Sequence, residues 1–527
     1  MTTSARSKAY PTTQQIGPGD GAAPNLTTRK RSAPTARYPA TCCEYGGVLE
    51  KWRFWPFLPW KNGRIILILP WKNGDKMIKR QIYNRIVNFY KTTSKALLIT
   101  GARQVGKTYI IREFGKTFDS FIEINFVDSP EAVSIFEGAK SHNDILMRLS
   151  LFTEKPLIKG KTLIFFDEVQ KCREIVSAIK FLVEEGSYRY ILSGSLLGVE
   201  LKDLRSEPVG YMGVMEMFPL DFKEFFHSVG VSETVIDTLK KSWETKTPVD
   251  EVVHTQLMQL FRLYLVVGGM PAAVKKYLDT NNLRLVLEEQ KDIIKLYRRD
   301  ISQYAPEKEK LLIRDIFDLI PPELNSKNKR FILKSLHDYA KFESYEDSFL
   351  WLTYAGVAIP TYNVDEPRIP LLLSRSRNLF KLFQNDVGLL ASQYADGIQL
   401  KIINGDDSIN HGAIYENAVA QELLAHGFDL YYYNNKRRGE IDFLIEVDGE
   451  PVPVEVKSGK DYAVHRALAN IMDVKEYDLK RAYILCNSNI RSEGKLTYVP
   501  VYMAMFIQPP SLSGDIIYIP DISSLKS

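Results

Sequence analysis

Ala96-Leu-Leu-Ile-Thr-Gly101-Ala-Arg-Gln-Val-Gly106-Lys107-Thr108 reads as a short apolar strand, a glycine-bounded loop and the first turn of a helix. The loop has the form GxxxxGK[ST], and the strand before it and helix after it are the context that this motif requires. Glycines let backbone N–H groups close around phosphate oxygens, and the helix start adds its positive dipole end. Gly101, Ala102, Arg103, Gln104, Val105, Gly106, Lys107 and Thr108 are therefore the expected nucleotide-binding residues. Lys107 is expected to reach the β- and γ-phosphates and the Thr108 hydroxyl to ligate Mg²⁺.

Sixty residues beyond Lys107, Leu163-Ile-Phe-Phe166 runs into Asp167-Glu168. A wholly apolar strand that ends in two carboxylates brings charge to the carboxyl edge of a sheet, where open α/β sheets bind ligands. Asp167 is then expected to hold the Mg²⁺ through water, and Glu168 to polarise the attacking water. The plainer alternative is a helix N-terminus, where acidic residues are favoured by the dipole. Next comes the strand Tyr188–Leu192, ending in Ser193-Gly-Ser195; Ser193 or Ser195 is placed to sense a γ-phosphate, with ordinary turn chemistry as the alternative. Arg205 is a candidate charge-neutralising arginine or a solvated surface residue.

Outward from these motifs, strands and helices alternate from Ala96 to about Phe226: strands at Phe121–Phe126, Thr162–Phe166 and Tyr211–Met217, helices at Lys107–Lys116, Asn143–Phe152 and Arg173–Glu185. Near-continuous apolar strands between helices predict a parallel sheet covered on both faces. Residues 227–310 read as helices interrupted by Gly268-Gly269-Met270-Pro271, and residues 311–390 mix helices with a strand-like Val357–Tyr362. From Gly412 the order is helix (Tyr415–Ala425), strands (Leu430–Tyr433, Glu440–Glu446, Val452–Lys457), helix, strand (Arg481–Cys486), a separate α/β domain.

In that last part, Glu440-Ile-Asp442 and Pro453-Val-Glu455-Val-Lys457 lie on strands joined by an Asp448-Gly449 turn. With period-two alternation Asp442 opposes Ile441 and Phe443, and Glu455 and Lys457 share a face. Asp442 and Glu455 are candidate ligands of one Mg²⁺, Lys457 would orient or deprotonate water, and Glu416 on the preceding helix would add a carboxylate. The alternative is a two-stranded sheet with a charged solvent face. Lys436-Arg-Arg438 is a phosphate grip or a solvated loop.

The whole chain carries +5, but residues 1–76 hold twelve Lys and Arg against four Asp and Glu, a balance of +8 that leaves −3 for the rest. The globular part thus offers no overall electrostatic case for nucleic acid. Residues 1–50 are rich in Thr, Ser, Pro, Ala and Gly and bury too little to fold. Leu58-Pro-Trp-Lys-Asn-Gly63 recurs as Leu69-Pro-Trp-Lys-Asn-Gly74, after which Met77 opens a clean helical pattern. Residues 1–76 are expected to be either a mis-assigned extension or a disordered basic tail. Cys42, Cys43, Cys172 and Cys486 show no CxxC spacing, so a reduced, cytoplasmic setting is expected. The aliphatic run Ile65–Leu69 stops at Pro70, far short of the about 20 residues of a membrane span.

Residues 77–527 resemble the prokaryotic AAA-type ATP-binding proteins whose carboxyl-terminal half is a domain of unknown function ending in a restriction-endonuclease-like module. Besides the stretches above, the resemblance rests on Phe166-Asp-Glu-Val-Gln170, Pro208-Val-Gly-Tyr211, Phe218-Pro-Leu-Asp-Phe222, Val267-Gly-Gly-Met-Pro271, Leu382-Phe-Gln-Asn-Asp-Val-Gly-Leu389, Tyr415-Glu-Asn417 and Pro453-Val-Glu-Val-Lys-Ser-Gly459. It implies an α/β chain with a P-loop core (77–227), helical lid (228–310), winged-helix-like unit (311–390) and nuclease-like domain (391–527). The resemblance supplies fold and ATP binding; the leading expectation for activity is ATP hydrolysis with ATP and Mg²⁺ as cofactors, working as a switch on an unidentified protein partner. The alternatives are an ATP-gated metal-dependent nuclease that meets nucleic acid through its C-terminal domain, and a nucleotide-binding scaffold with negligible turnover.

Overall fold

The computed structural model describes residues 78–139, 141–195, 210–326, 329–337, 341–406, 408–510 and 517–520. All of them belong to the compact unit Leu69–Ser527. The expectations for residues 1–76 and for Arg205 lie outside the described residues.

Strands β1 (Ala96–Thr100), β2 (Ser120–Asn125), β3 (Thr162–Asp167), β4 (Arg189–Ser193) and β5 (Met212–Glu216) form one sheet in the order β2-β3-β4-β1-β5. Every pairing in it is parallel. Each residue of β3 is buried, which is why the sequence Thr-Leu-Ile-Phe-Phe-Asp shows no polar alternation. Two apolar layers cover the sheet: one around Ile110, Ile111 and Leu220, the other around Ile135, Leu149, Ile175 and Ile179. Because β3, β4 and β1 are neighbours with the same direction, their carboxyl ends bring Asp167, Ser193 and Gly101 to one edge.

Helices Glu233–Thr245, Glu251–Val267, Pro271–Thr280 and Leu283–Tyr304 fill the span after the sheet. A second, mixed sheet then holds eight strands: β6 (Ala358–Val364), β7 (Arg375–Gln384), β8 (Tyr431–Asn435), β9 (Gly439–Val447), β10 (Glu450–Val456), β11 (Ala482–Cys486), β12 (Arg491–Glu493) and β13 (Leu496–Pro500). Its order is β12-β13-β11-β10-β9-β8-β6-β7. The β6–β7 hairpin, read from sequence as part of a winged-helix-like unit, joins this sheet through a parallel pairing of Tyr362 to Val364 with Tyr431 to Tyr433. No sheet boundary therefore falls at residue 390.

The two halves share one core. A single apolar cluster runs from Ile99 and Leu220 through Phe261, Tyr264 and Val267 to Leu389, Ala418 and Leu485. The Gly412–Ala425 helix sits inside it, buried from Ala413 to Leu423. Cys172 and Cys486 are free and buried. Among the described residues no helix is long and apolar enough to cross a membrane.

Candidate functional site

The loop after β1 closes through three positive φ angles, at Gly101 (126°), Gln104 (66°) and Gly106 (97°). Such a loop turns successive N–H groups inward and makes an anion-binding concavity. Lys107 opens the Lys107–Gly115 helix, and its ammonium donates to the Gly101 and Ala102 carbonyls, both at 2.9 Å. Burial pushes this ammonium down to about 8, while the carboxylates of Glu168 and Asp167 pull the other way. A phosphate would supply the counter-charge that the buried lysine lacks.

At the end of β3 the Thr108 hydroxyl donates to Asp167 Oδ2 at 2.9 Å, so the two expected Mg²⁺ contacts are already side by side. Ser193 donates to the other oxygen of Asp167, and the Glu168 backbone N–H reaches that oxygen at 3.0 Å. Burial raises the Asp167 carboxyl, and the hydrogen bonds from Ser193 and Thr108 counter it. Glu168 sits at φ 55°, a left-handed conformation uncommon for a residue with a side chain and typical of active sites. Its carboxylate accepts from Gln170 and from Ser195, the latter at 3.2 Å. Both serines thus spend their hydroxyls on the acidic pair. The donor set of Lys107, Thr108 and Asp167 fits a nucleotide with Mg²⁺.

Long-range contacts hold the loop in place. Arg80, buried just before the Gln81–Thr92 helix, donates to the Val105 carbonyl at 2.9 Å and pairs with Glu224 at 2.9 Å. Arg103 pairs with Asp300 of the Leu283–Tyr304 helix at 2.6 Å, and the Tyr297 hydroxyl donates to the Arg103 carbonyl at 3.2 Å. Asn385, one residue past β7, donates to that same Tyr297 hydroxyl at 3.3 Å. Gly356 lies against the loop itself: a Cβ there would stand 2.9 Å from the Ala102 nitrogen, and its φ is 69°.

The motif residues between the halves interlock. Asp386 caps the Val387–Ser392 helix through Leu389 N–H at 3.0 Å and accepts Gly269 N–H at 2.6 Å. Gly268 leaves room for it, since a Cβ at that position would meet Asp386 Oδ1 at 2.2 Å. Gln421 donates to the Tyr264 hydroxyl at 2.8 Å and accepts Val387 N–H at 2.9 Å. On the same helix, Asn417 exchanges two hydrogen bonds with the Gln384 backbone, at 2.8 and 2.9 Å.

Next to Asn417 on that helix is Glu416, the start of a second charged cluster. The β9–β10 register pairs Phe443 with Val454, which sets Asp442 across from Glu455. Asp442 Oδ2 accepts the Val456 N–H at 2.9 Å, and Lys457 pairs with Glu455 at 2.7 Å. The four residues singled out in sequence, Glu416, Asp442, Glu455 and Lys457, are thus gathered in one place. Burial, then the Asp442 charge, pushes the Glu455 carboxyl up to about 8, and the same two causes raise Glu416. Two further members escape sequence reading. Lys381 on β7 has no solvent exposure, and its ammonium lies 2.8 Å from Glu440, 3.5 Å from Glu416 and 3.8 Å from Asp442. Lys329 pairs with Glu416. Burial works against the Lys381 charge, but Glu416, Asp442 and Glu440 outweigh it and raise the ammonium above its ordinary value. A lone lysine within Leu379-Phe-Lys-Leu-Phe383 is the one signal the sequence offers for it.

This donor set does not suit a divalent ion as it stands. Among the described residues no group of three or more His, Cys, Asp or Glu is arranged to hold a metal. The carboxylates of Glu416, Glu440, Asp442 and Glu455 already face the ammoniums of Lys329, Lys381 and Lys457. Two unit charges 4 Å apart interact by about 4 kcal/mol at an effective dielectric of about 20, so a dication would meet roughly twice that repulsion from each such lysine. Arg438 donates to the Tyr477 hydroxyl at 2.6 Å, so this member of the Lys436-Arg-Arg438 loop is engaged.

Residues 93–226 match the AAA domain family. Residues 258–399 and 411–503 match two domains of unknown function, DUF8612 and DUF4143. No curated protein matches the chain. Among solved structures, the Walker-type ATPase PABY2304 of Pyrococcus abyssi is similar at 14% identity, covering 60% of this chain and 96% of its own, with a TM-score of 0.38. The Aeropyrum pernix ORC1 protein, solved in complex with DNA, is similar at 12% identity over 64% of this chain and 94% of its own, with a TM-score of 0.27. Superpositions this loose bear on neither substrate nor partner. The family match and the five-stranded parallel sheet together give residues 93–226 an AAA-like P-loop ATPase fold.

Proposed function

We propose that this chain is an ATP-dependent switch, in which hydrolysis at Lys107, Thr108, Asp167 and Glu168 changes how the P-loop packs on the C-terminal half. One observation carries the reading: the P-loop backbone is itself a packing surface for residues far along the chain. Gly356 presses on Ala102, Tyr297 holds the Arg103 carbonyl, and Asn385 holds Tyr297. A bound phosphate takes up the loop's N–H groups and draws Lys107 away from the Gly101 and Ala102 carbonyls. The residues resting on that backbone must then adjust. Mg²⁺ held by Thr108 and Asp167 would neutralise developing charge on the phosphates, and Glu168 would orient the water that attacks.

Cleavage of nucleic acid by the tail has less support, because lysines already stand among the carboxylates it would need. A scaffold with negligible turnover has less support too, because Glu168 is present and positioned by Ser195 and Gln170. Hydrogen exchange of the full chain, with and without a non-hydrolysable ATP analogue, tests the switch. Protection is expected to change in residues 346–392 as well as in the loop, and Lys107→Ala should abolish both changes. A response confined to residues 101–108 would sink the reading.

A further inference from the structure

We infer that the Lys381 ammonium is the resident cation of the tail's acidic cluster, standing where the D…ExK arrangement would otherwise place a divalent metal ion. Lys381 comes from β7, outside the β9–β10 hairpin that carries the recognisable residues. Its side chain passes over the Tyr432 ring on β8, with the ammonium 5.1 Å from the ring centroid, to meet Glu440 and Asp442 on β9. Glu416 closes the other side from its helix.

Each wall of this spot suits an ammonium better than a metal. An aromatic face attracts a monovalent organic cation but offers no oxygen ligand. Mg²⁺ demands near-octahedral oxygen coordination at about 2.0–2.1 Å. One oxygen of each carboxylate is also engaged elsewhere: Glu416 Oε1 with Lys329, Glu455 Oε1 with Lys457, and Asp442 Oδ2 with the Val456 N–H, while Glu416 Oε2 and Glu455 Oε2 are buried without a hydrogen bond. The cluster therefore ties β7 to β9 and to the Gly412–Ala425 helix without any metal. The tail's contribution to function is then metal-independent, and metal-dependent strand cleavage is not its activity.

The inference concerns the tail alone and is tested without nucleotide, so it stands or falls apart from the switching proposal. Full-length protein is titrated with Mn²⁺ while free Mn²⁺ is followed by electron paramagnetic resonance. Wild type and Asp442→Asn should give superimposable curves. Lys381→Met, which keeps the stem and removes the charge, should take up one additional equivalent of Mn²⁺, and Lys381→Met/Asp442→Asn should lose it again. Uptake by wild type that Asp442→Asn removes would overturn the inference. So would a folded Lys381→Met protein that gains no uptake. If Lys381→Met does not fold, the comparison of wild type with Asp442→Asn still decides.

Discussion

The nucleotide site and the tail site both place carboxylates on strands of an α/β sheet, yet their charge balance is opposite. Around the P-loop, inward N–H groups and a lysine depressed to about 8 leave positive potential waiting for an anion. In the tail, carboxylates are met by Lys457 beside Glu455 and by Lys329 and the fully buried Lys381 from distant parts of the chain, and the cluster is close to neutral within itself. The first site is built around something that is not protein. The second is built around protein. A short motif reports only the residues on its own strands, so motifs of similar quality can mark sites of different kinds.

The largest expected effects lie at the first site. Lys107→Ala should abolish measurable nucleotide binding by calorimetry, because the loop's expected contact to the β- and γ-phosphates is gone. Glu168→Gln should bind ATP as wild type does yet hydrolyse it ~10²-fold or more slowly in single-turnover assays. Wild-type turnover in Glu168→Gln would remove Glu168 from the mechanism. Binding should also weaken as pH rises past about 8, where Lys107 loses its proton.

At the tail, effects should appear in stability rather than in turnover. Lys381→Ala leaves buried carboxylates uncompensated and should cost about 3–5 kcal/mol in urea unfolding. Lys457, whose side chain keeps 28% of its exposure, should cost no more than about 1 kcal/mol on the same change. Equal losses for the two would mean that Lys381 is not the central cation.

The contact between the regions should respond at an intermediate level. Gly356→Val forces a side chain into a φ of 69° and toward Ala102, at a strain of about 1–3 kcal/mol. Nucleotide affinity should fall with it, although residue 356 is more than 240 positions from the loop in sequence. Unchanged affinity in a folded Gly356→Val protein would separate the two regions functionally.

The smallest effect is a pH slope at the seam between them. Glu224, buried with Arg80, Asp221 and Glu422 nearby, has its carboxyl raised by burial from 4.5 to about 7. A raised acid contributes stability that is full below its ordinary value and is lost as pH climbs through the folded one. Stability should therefore decline between about pH 4.5 and 7. Glu224→Gln should flatten that decline in a melting-temperature series.

Several parts of the fold were legible because their causes are local. The strand–loop–helix at Ala96–Thr108 and the apolar strand ending in Asp167-Glu168 each declare themselves within about a dozen residues. Period-two alternation likewise placed Asp442 on the face away from Ile441 and Glu455 on the face away from Val454, and the β9–β10 register sets Asp442 across from Glu455. The hairpin β6–β7 was half seen, as a strand-like Val357–Tyr362, but its membership in the tail sheet depends on a parallel pairing with β8, about 70 residues on. Nothing local encodes such a partner.

Sequence alone therefore determined which backbone could cradle a phosphate and which residues could carry charge to a strand, because glycine geometry and strand periodicity act over a few residues. Only the tertiary structure decided what faces those charges. Lys381 and Lys329 reach Glu416, Asp300 holds Arg103, and Gly356 touches Ala102 across chain separations that leave no pattern to read. Coulomb energy and close packing depend on distance in space, and folding sets that distance independently of position along the chain.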